Sequence, residues 1–284
     1  VILGVGGATA FWDVAAYGLV ERRSAHAVHG AFSAKFARAV AQAPHLAAPL
    51  VVEASVGSRA ELDAAARDAA AAATIDSWAV IQNETSTGVA APIRRPRASA
   101  AAAAAGITLI DATSSAGCTP FDAAESDAYY FSPQKAFGAD GGIWFALLSP
   151  AAIARAESIA ASKRTTPPSL SLIDAIAESR RDQTVNTPAI GTLLLLAEQV
   201  DWLMAEGGLD WASARCAESS GRLYAWAESR PWASPFVQDP TIRSKSVATI
   251  EFDASVDAAK VREVLGANRS EEHTSELQSH HDLV

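Results

Sequence analysis

Lys135 closes the run Tyr129-Tyr130-Phe131-Ser132-Pro133-Gln134-Lys135, and Asp111 closes a second apolar run, Ile107-Thr108-Leu109-Ile110-Asp111. A primary amine just past a strand can condense with an aldehyde to a Schiff base. A buried carboxylate beside a ring nitrogen keeps that nitrogen protonated, so that the ring withdraws electrons from a substrate carbanion. These are the two demands of pyridoxal 5'-phosphate, and they make Lys135 and Asp111 the predicted catalytic pair. Each residue has a bland alternative, because most lysines are solvated surface charges and many strands end in Asp. The neighbouring segments decide between the readings.

Gly6-Gly7-Ala8-Thr9 stands between an apolar run and a helical one. Glycines let backbone approach a phosphate, and a helix start offers unpaired N–H groups, so Gly7, Ala8 and Thr9 are candidates for a phosphate cradle; the alternative is a plain tight turn. Asn83-Glu84-Thr85-Ser86-Thr87-Gly88 follows another strand, and the Thr85 hydroxyl is a candidate donor to the cofactor's phenolate oxygen. Phe32, after Gly30-Ala31, can stack on a planar ring or be an ordinary core residue. Gln134 precedes the lysine. Asn186-Thr187-Pro188 can complete a phosphate pocket or serve only as an N-cap followed by Pro. Cys118 and Cys216 are too few for a disulfide framework and lack metal-ligand spacing, so no metal is expected.

Groups in such positions need a sheet whose strands end on one side. Short apolar runs alternating with helical stretches predict an α/β fold with a mostly parallel sheet flanked by helices. Strands are expected at 1–3, from His26, and at 50–53, 77–82, 107–110, 128–131 and 143–148. Helices are expected at 10–19, 33–42, 61–73, 98–105, 150–162, 192–205 and 211–229, the alanine-rich ones on propensity. Pro167-Pro168 marks a loop, and Gly207-Gly208 a helix stop. A large cofactor-binding domain over 1–208 is predicted to precede the start of a small C-terminal domain over 209–268, with one strand at 246–252 and one helix at 256–265. Residues 269–284 resemble translated sequencing adapter and are read as an artefact. A segment upstream of Val1 is expected to be missing.

The 284 residues are 49% hydrophobic and 19% charged, with a formal net charge of −9. This composition predicts a globular cytoplasmic protein. The acidic balance argues against a nucleic-acid surface. No apolar run reaches membrane-spanning length, so no membrane partner is expected. Arg94-Arg95-Pro96-Arg97, the one basic cluster, reads as a solvated loop.

Taken in order and spacing, Asn83-Glu84-Thr85, Asp111-Ala112-Thr113-Ser114, Pro133-Gln134-Lys135 and Asn186-Thr187-Pro188 resemble the phosphoserine aminotransferase family of class-V, fold-type I enzymes. Gly6-Gly7-Ala8-Thr9-Ala10-Phe11-Trp12-Asp13 resembles its actinobacterial branch. The resemblance implies a homodimer with a shared cofactor site. It implies Lys135 as Schiff-base residue and proton carrier, Asp111 at the pyridine nitrogen, Thr85 and Gln134 near the phenolate oxygen, Phe32 on the ring, and Gly7, Ala8 and Thr9 at the phosphate. Asn186 and Thr187 would reach the phosphate of the neighbouring subunit's cofactor. The implied reaction moves the amino group of glutamate onto a phosphorylated 2-oxo acid, 3-phosphohydroxypyruvate, in serine biosynthesis and in some bacteria also in the pyridoxine pathway. The family's substrate-binding His-Arg pair and C-terminal basic residues have no counterpart here, and Ala136 stands where Asn is frequent. The polypeptide as written is therefore expected to turn over poorly. The alternatives are a cysteine desulfurase-like lyase and an inactive cofactor-binding fragment. The lyase is disfavoured by Gln134 where His is usual and by the expectation that neither thiol is activated.

Overall fold

The apolar runs fold as strands that alternate with helices in the computed structural model, which describes residues 1–96 and 106–267. In chain order β1 (Ile2–Val5) leads to α1 (Ala8–Gly18), β2 (Ser24–Val28) to α2 (Ala31–Ala41), and β3 (Leu50–Glu53) to the short helices α3 (Asp63–Arg67) and α4 (Ala69–Ala72). Next come β4 (Ser77–Ile81), a small hairpin of β5 (Asn83–Glu84) and β6 (Val89–Ala90), then β7 (Ile107–Asp111), β8 (Ala128–Phe131) and β9 (Ile143–Leu148). The remainder is α5 (Pro150–Ala161), α6 (Leu172–Ser179), α7 (Ile190–Glu206), α8 (Gly208–Glu228), β10 (Ala233–Pro235), β11 (Ile250–Phe252) and α9 (Ala258–Ala267).

Seven strands form one sheet in the order β1-β9-β8-β7-β4-β2-β3. Pairings β2–β3, β2–β4, β4–β7 and β7–β8 are parallel, while β9 runs antiparallel to both β8 and β1. Six strands therefore point the same way. Their C-terminal ends bring Gly6, His29, Gln82, Asp111 and Ser132 to one edge, where open α/β sheets bind ligands.

Side chains alternate across the sheet, and the alternation sorts residues between layers. Leu109 and Tyr130 join Phe11, Leu19 and Phe36 in a core beneath α1, α2, α5 and α6, whereas Ile110 and Tyr129 pack on the opposite face with Phe121, Phe131 and Phe137. Full burial of each such Leu or Phe stabilises the fold by about 1.5–3 kcal/mol. By the same period Asp111 points to the α1 side.

The structure differs from the sequence expectations in several places. The predicted 61–73 helix is broken at Asp68, whose backbone is extended and whose carboxylate accepts from Ala70 and Ala71 N–H, starting α4 anew. The polar segment after β4 forms the β5–β6 hairpin, and α6 and β10 were not anticipated. Arg94 and Arg95 are not a solvated loop: Arg94 pairs with Glu61 and Asp63, and Arg95 pairs with the buried Asp127. The predicted 98–105 helix, Arg97 and the 269–284 tail lie outside the described residues. Among the described residues no helix is long and apolar enough to cross a membrane.

Candidate active site

Asp111 is the last residue of β7 and is 3% exposed. Its Oδ1 accepts from Thr113 N at 2.9 Å and Thr113 Oγ1 at 2.6 Å, and its Oδ2 accepts from the Trp12 indole Nε1 at 2.8 Å. Burial raises its pKa; the Thr113 and Trp12 hydrogen bonds oppose that rise, and the charge of Glu84 adds to it. A fixed, dehydrated carboxylate of this kind gains by meeting a protonated ring nitrogen, because an opposite charge offsets the desolvation.

Trp12 lies on α1, one turn from the helix start. Gly6, with φ +110, swings the chain out of β1, and the N-cap Gly7 has no side chain with which to satisfy the first amides. By contrast the side chains of Ser149 and Ser171 cap α5 and α6. The α1 start thus presents unpaired donors and a positive dipole end beside the Asp111 anchor. Ala8 is buried, Gly7 is half-buried and Thr9 is exposed.

The α2 start is closed instead by Glu84, which is fully buried. Its Oε1 accepts from Phe32 N at 3.1 Å, Ser86 N at 3.3 Å and Ser86 Oγ at 2.7 Å. Its Oε2 accepts from Ser33 N at 2.9 Å and Ser33 Oγ at 2.8 Å. One carboxylate thereby ties the second residue of α2, Phe32, to the turn that carries Thr85. Phe32 is half-buried, packs against the main core and has Lys35 Nζ 5.1 Å from its ring centroid, so it is both a core residue and an available ring face. Thr85 is half-buried.

Lys135 sits in the turn after β8, held where its carbonyl accepts from Gly138 N at 3.0 Å and where Pro133 O accepts from Ala139 N at 3.3 Å. It is half-buried, and Gln134 is exposed. Because β7 and β8 are parallel neighbours, with Asp111 opposite Tyr130, the amine and the carboxylate leave the same sheet edge on adjacent strands. Asn186 and Thr187 are exposed in the segment before α7, in a cavity shared with Leu3, Gly4 and Val5 of β1.

The sequence reading missed Trp12 and Glu84, although both stand inside segments it singled out. A signal existed for each: a buried indole N–H requires an acceptor, and a Glu amid Thr and Ser after a strand is suited to capping a nearby helix. The thiols also depart from expectation. Cys216 is lowered to about 7 by its interaction with Cys118 and then by Arg215, while the buried Cys118 is raised, first by that interaction and then by burial.

The residues present fit pyridoxal phosphate: a buried carboxylate, an uncapped helix start one turn from the indole that holds it, a half-buried aromatic ring and an amine on the adjoining strand end. Comparison with known proteins agrees. Residues 26–270 match the family described as aminotransferase class-V. The "Putative phosphoserine aminotransferase" of Mycolicibacterium paratuberculosis is 56% identical over 268 residues, covering 94% of this chain and 69% of its own length. The phosphoserine aminotransferase of Rhodococcus opacus is 51% identical over 268 residues, covering 94% of this chain and 69% of its own. Among solved structures, a phosphoserine aminotransferase from Cytophaga hutchinsonii superposes with TM-score 0.80 at 22% identity, covering 94% of this chain and 71% of that one. That last likeness speaks to the fold alone. With a family match over most of its length and relatives this similar, the chain belongs to the class-V aminotransferases, in their phosphoserine aminotransferase branch.

Proposed function

We propose that this chain is a pyridoxal phosphate-dependent phosphoserine transaminase, moving an amino group between glutamate and 3-phosphohydroxypyruvate to give phosphoserine and 2-oxoglutarate. The observation that carries the reading is the buried Asp111, clamped at the sheet edge by α1 and its own turn, with Lys135 on the neighbouring strand end. Pyridoxal phosphate supplies an aldehyde and an electron-withdrawing ring when bound. Asp111 holds the proton on the ring nitrogen through its carboxylate. Lys135 Nζ is the covalent attachment point, and once released it takes the proton from the substrate α-carbon and returns it on the other side of the transfer. Gly7, Ala8 and Thr9 receive the phosphate at the α1 start. Phe32 covers one ring face, and Thr85 and Gln134 serve the phenolate side.

A homodimer belongs to the same proposal, with Asn186 and Thr187 reaching the partner's cofactor phosphate. In support, α7, which follows them, has Thr192 as its one buried residue and exposes Leu194, Leu195, Trp202 and Met204. A cytoplasmic location is proposed with it, as is a division into a large cofactor domain up to residue 208 and a smaller one beyond. The test is borohydride reduction of the cofactor-loaded protein followed by peptide mapping, with a parallel assay of glutamate and 3-phosphohydroxypyruvate. The pyridoxyl adduct is expected on Lys135; an adduct on Lys163 or Lys35 refutes the site.

A further inference from the structure

We infer that Trp12 is a positioning residue for the transamination: its indole N–H fixes the Asp111 carboxylate and couples it to the helix start that receives the cofactor phosphate. The inference rests on the function proposed above and adds a residue to it. Trp12 is 5% exposed, its Nε1 donates to Asp111 Oδ2 at 2.8 Å, and its ring stacks on Phe36 at 5.5 Å with an interplanar angle of 18°. Phe36 is itself 1% exposed and belongs to α2, so the indole is held by both helices that bound the site. Thr113 occupies Oδ1 from two directions. Without Trp12 the carboxylate keeps those bonds and loses its indole donor at Oδ2.

Trp12 lies three residues past Thr9, about 4.5 Å along the helix axis at 1.5 Å per residue. Ring nitrogen and phosphate ester belong to one ligand, the ester carried on the ring carbon meta to the nitrogen, so the two anchors must be correctly spaced. A hydrogen bond from the phosphate-bearing helix to the nitrogen's carboxylate therefore sets the spacing of the two anchors, which neither Asp111 nor the glycine turn does by itself. The bond also favours the ionised form of Asp111 against its burial. The titratable groups acting on or with Asp111 are Glu84 of the β5–β6 hairpin, Tyr130 of β8 on the same face of the sheet, and, from the opposite face, Tyr129. Burial pushes both tyrosines up, so they stay neutral, and Glu84 is the one charge among them that acts on Asp111.

The test is Trp12→Phe, which keeps an aromatic ring against Phe36, removes the N–H donor and leaves a small cavity where the rest of the indole lay. In the cofactor-free protein, carboxyl carbon NMR of Asp111 should show its pKa higher than in the wild type by about one unit. In the loaded enzyme the acid limb of the kcat/KM profile should move to higher pH, and kcat should fall about tenfold while KM for glutamate changes less than twofold. Pyridoxal phosphate should lose more affinity than pyridoxal, which has no phosphate to be spaced. An unchanged Asp111 titration, or equal losses for the two ligands, overturns the inference even with the Lys135 adduct intact; a missing Lys135 adduct in the wild type overturns the functional reading instead. If Trp12→Phe does not fold, the wild-type indole proton decides: a Trp12 N–H resonance that exchanges freely and ignores Asp111 ionisation refutes the role.

Discussion

Replacing Glu84 by Gln keeps the side-chain shape and converts one of two acceptor oxygens into a donor, in a place where every neighbour is a donor. With the amide oxygen in the Oε1 position, Phe32 N and Ser86 N keep their acceptor and Ser33 N loses its own; the reverse placement strands Phe32 and Ser86. Hydroxyls can adapt, since Ser33 Oγ can give its proton to Gly30 O at 2.9 Å instead. Backbone amides cannot. The cheaper orientation leaves one buried N–H unsatisfied, costing about 1–3 kcal/mol. Glu84→Ala strands both α2 amides and Ser86 N as well, and should cost more than Glu84→Gln. At about 2–4 °C per kcal/mol for a chain of this size, Glu84→Gln should lower Tm by roughly 2–12 °C. Urea unfolding of the cofactor-free protein measures the energy, and amide hydrogen exchange at Phe32 and Ser33 locates it. A Glu84→Gln protein within about 0.5 kcal/mol of wild type, with unchanged exchange at both amides, would refute the view that this carboxylate closes the α2 start.

Asp111→Ala should reduce transamination far more than it reduces stability, and equal turnover in the two proteins would remove Asp111 from the ring nitrogen. The raised pKa of Asp111 also has a signature without cofactor: the folded state holds the proton more tightly than the unfolded chain, so stability falls as pH climbs from the ordinary 3.8 through the raised value. A wild-type protein that instead gained stability relative to Asp111→Asn over that interval would contradict it. In Gly30→Ala the new Cβ would lie 2.3 Å from Glu84 Cγ and 2.6 Å from Ser86 Oγ. Because φ at Gly30 is 168°, the cost is steric rather than conformational, and a loss of about 1–3 kcal/mol in chemical denaturation is expected. Iodoacetamide near neutral pH should modify Cys216 well before Cys118, since only Cys216 has a lowered pKa, about 7; preferential labelling of Cys118, read by mass spectrometry, would reverse the assignment.

The parallel framework was legible because each strand carries its own local signal. Leu50–Glu53, Ala128–Phe131 and Ile143–Leu148 appear in the structure at the residues where apolar, β-branched or aromatic runs predict them. The Asp111 and Lys135 positions followed from that framework, since a residue at the C-terminal end of a parallel strand is at the ligand edge whatever its neighbours do. What stayed illegible was set by tertiary partners. The 61–73 segment has helix propensity throughout, yet Asp68 competes for the amides of Ala70 and Ala71 and splits it. The β5–β6 hairpin is shorter than any periodicity can register, and α6 earns its place through Leu172 and Ile176 in the core rather than through a long repeat.

The same distinction explains why Trp12 and Glu84 escaped a reading that found the residues on either side of them. Lys135, Asp111 and Thr85 are of types that can act on a ligand directly, so their type and place suffice to nominate them as candidates. Trp12 and Glu84 act on other residues across |i−j| separations of 99 and about 52, and only the fold states who their partners are. Both resolve the same physical problem. Helix starts at the sheet edge carry unpaired amides, and the protein treats its two adjacent starts in opposite ways. At α2 the buried Glu84 takes the Phe32 and Ser33 amides, leaving neither free for an anion. At α1 the N-cap is a glycine with nothing to offer, and the helix is held one turn further on through Trp12 and Asp111. Under the proposed function a phosphate would be received at α1, where the amides are open, and not at α2, where a single carboxylate has taken them.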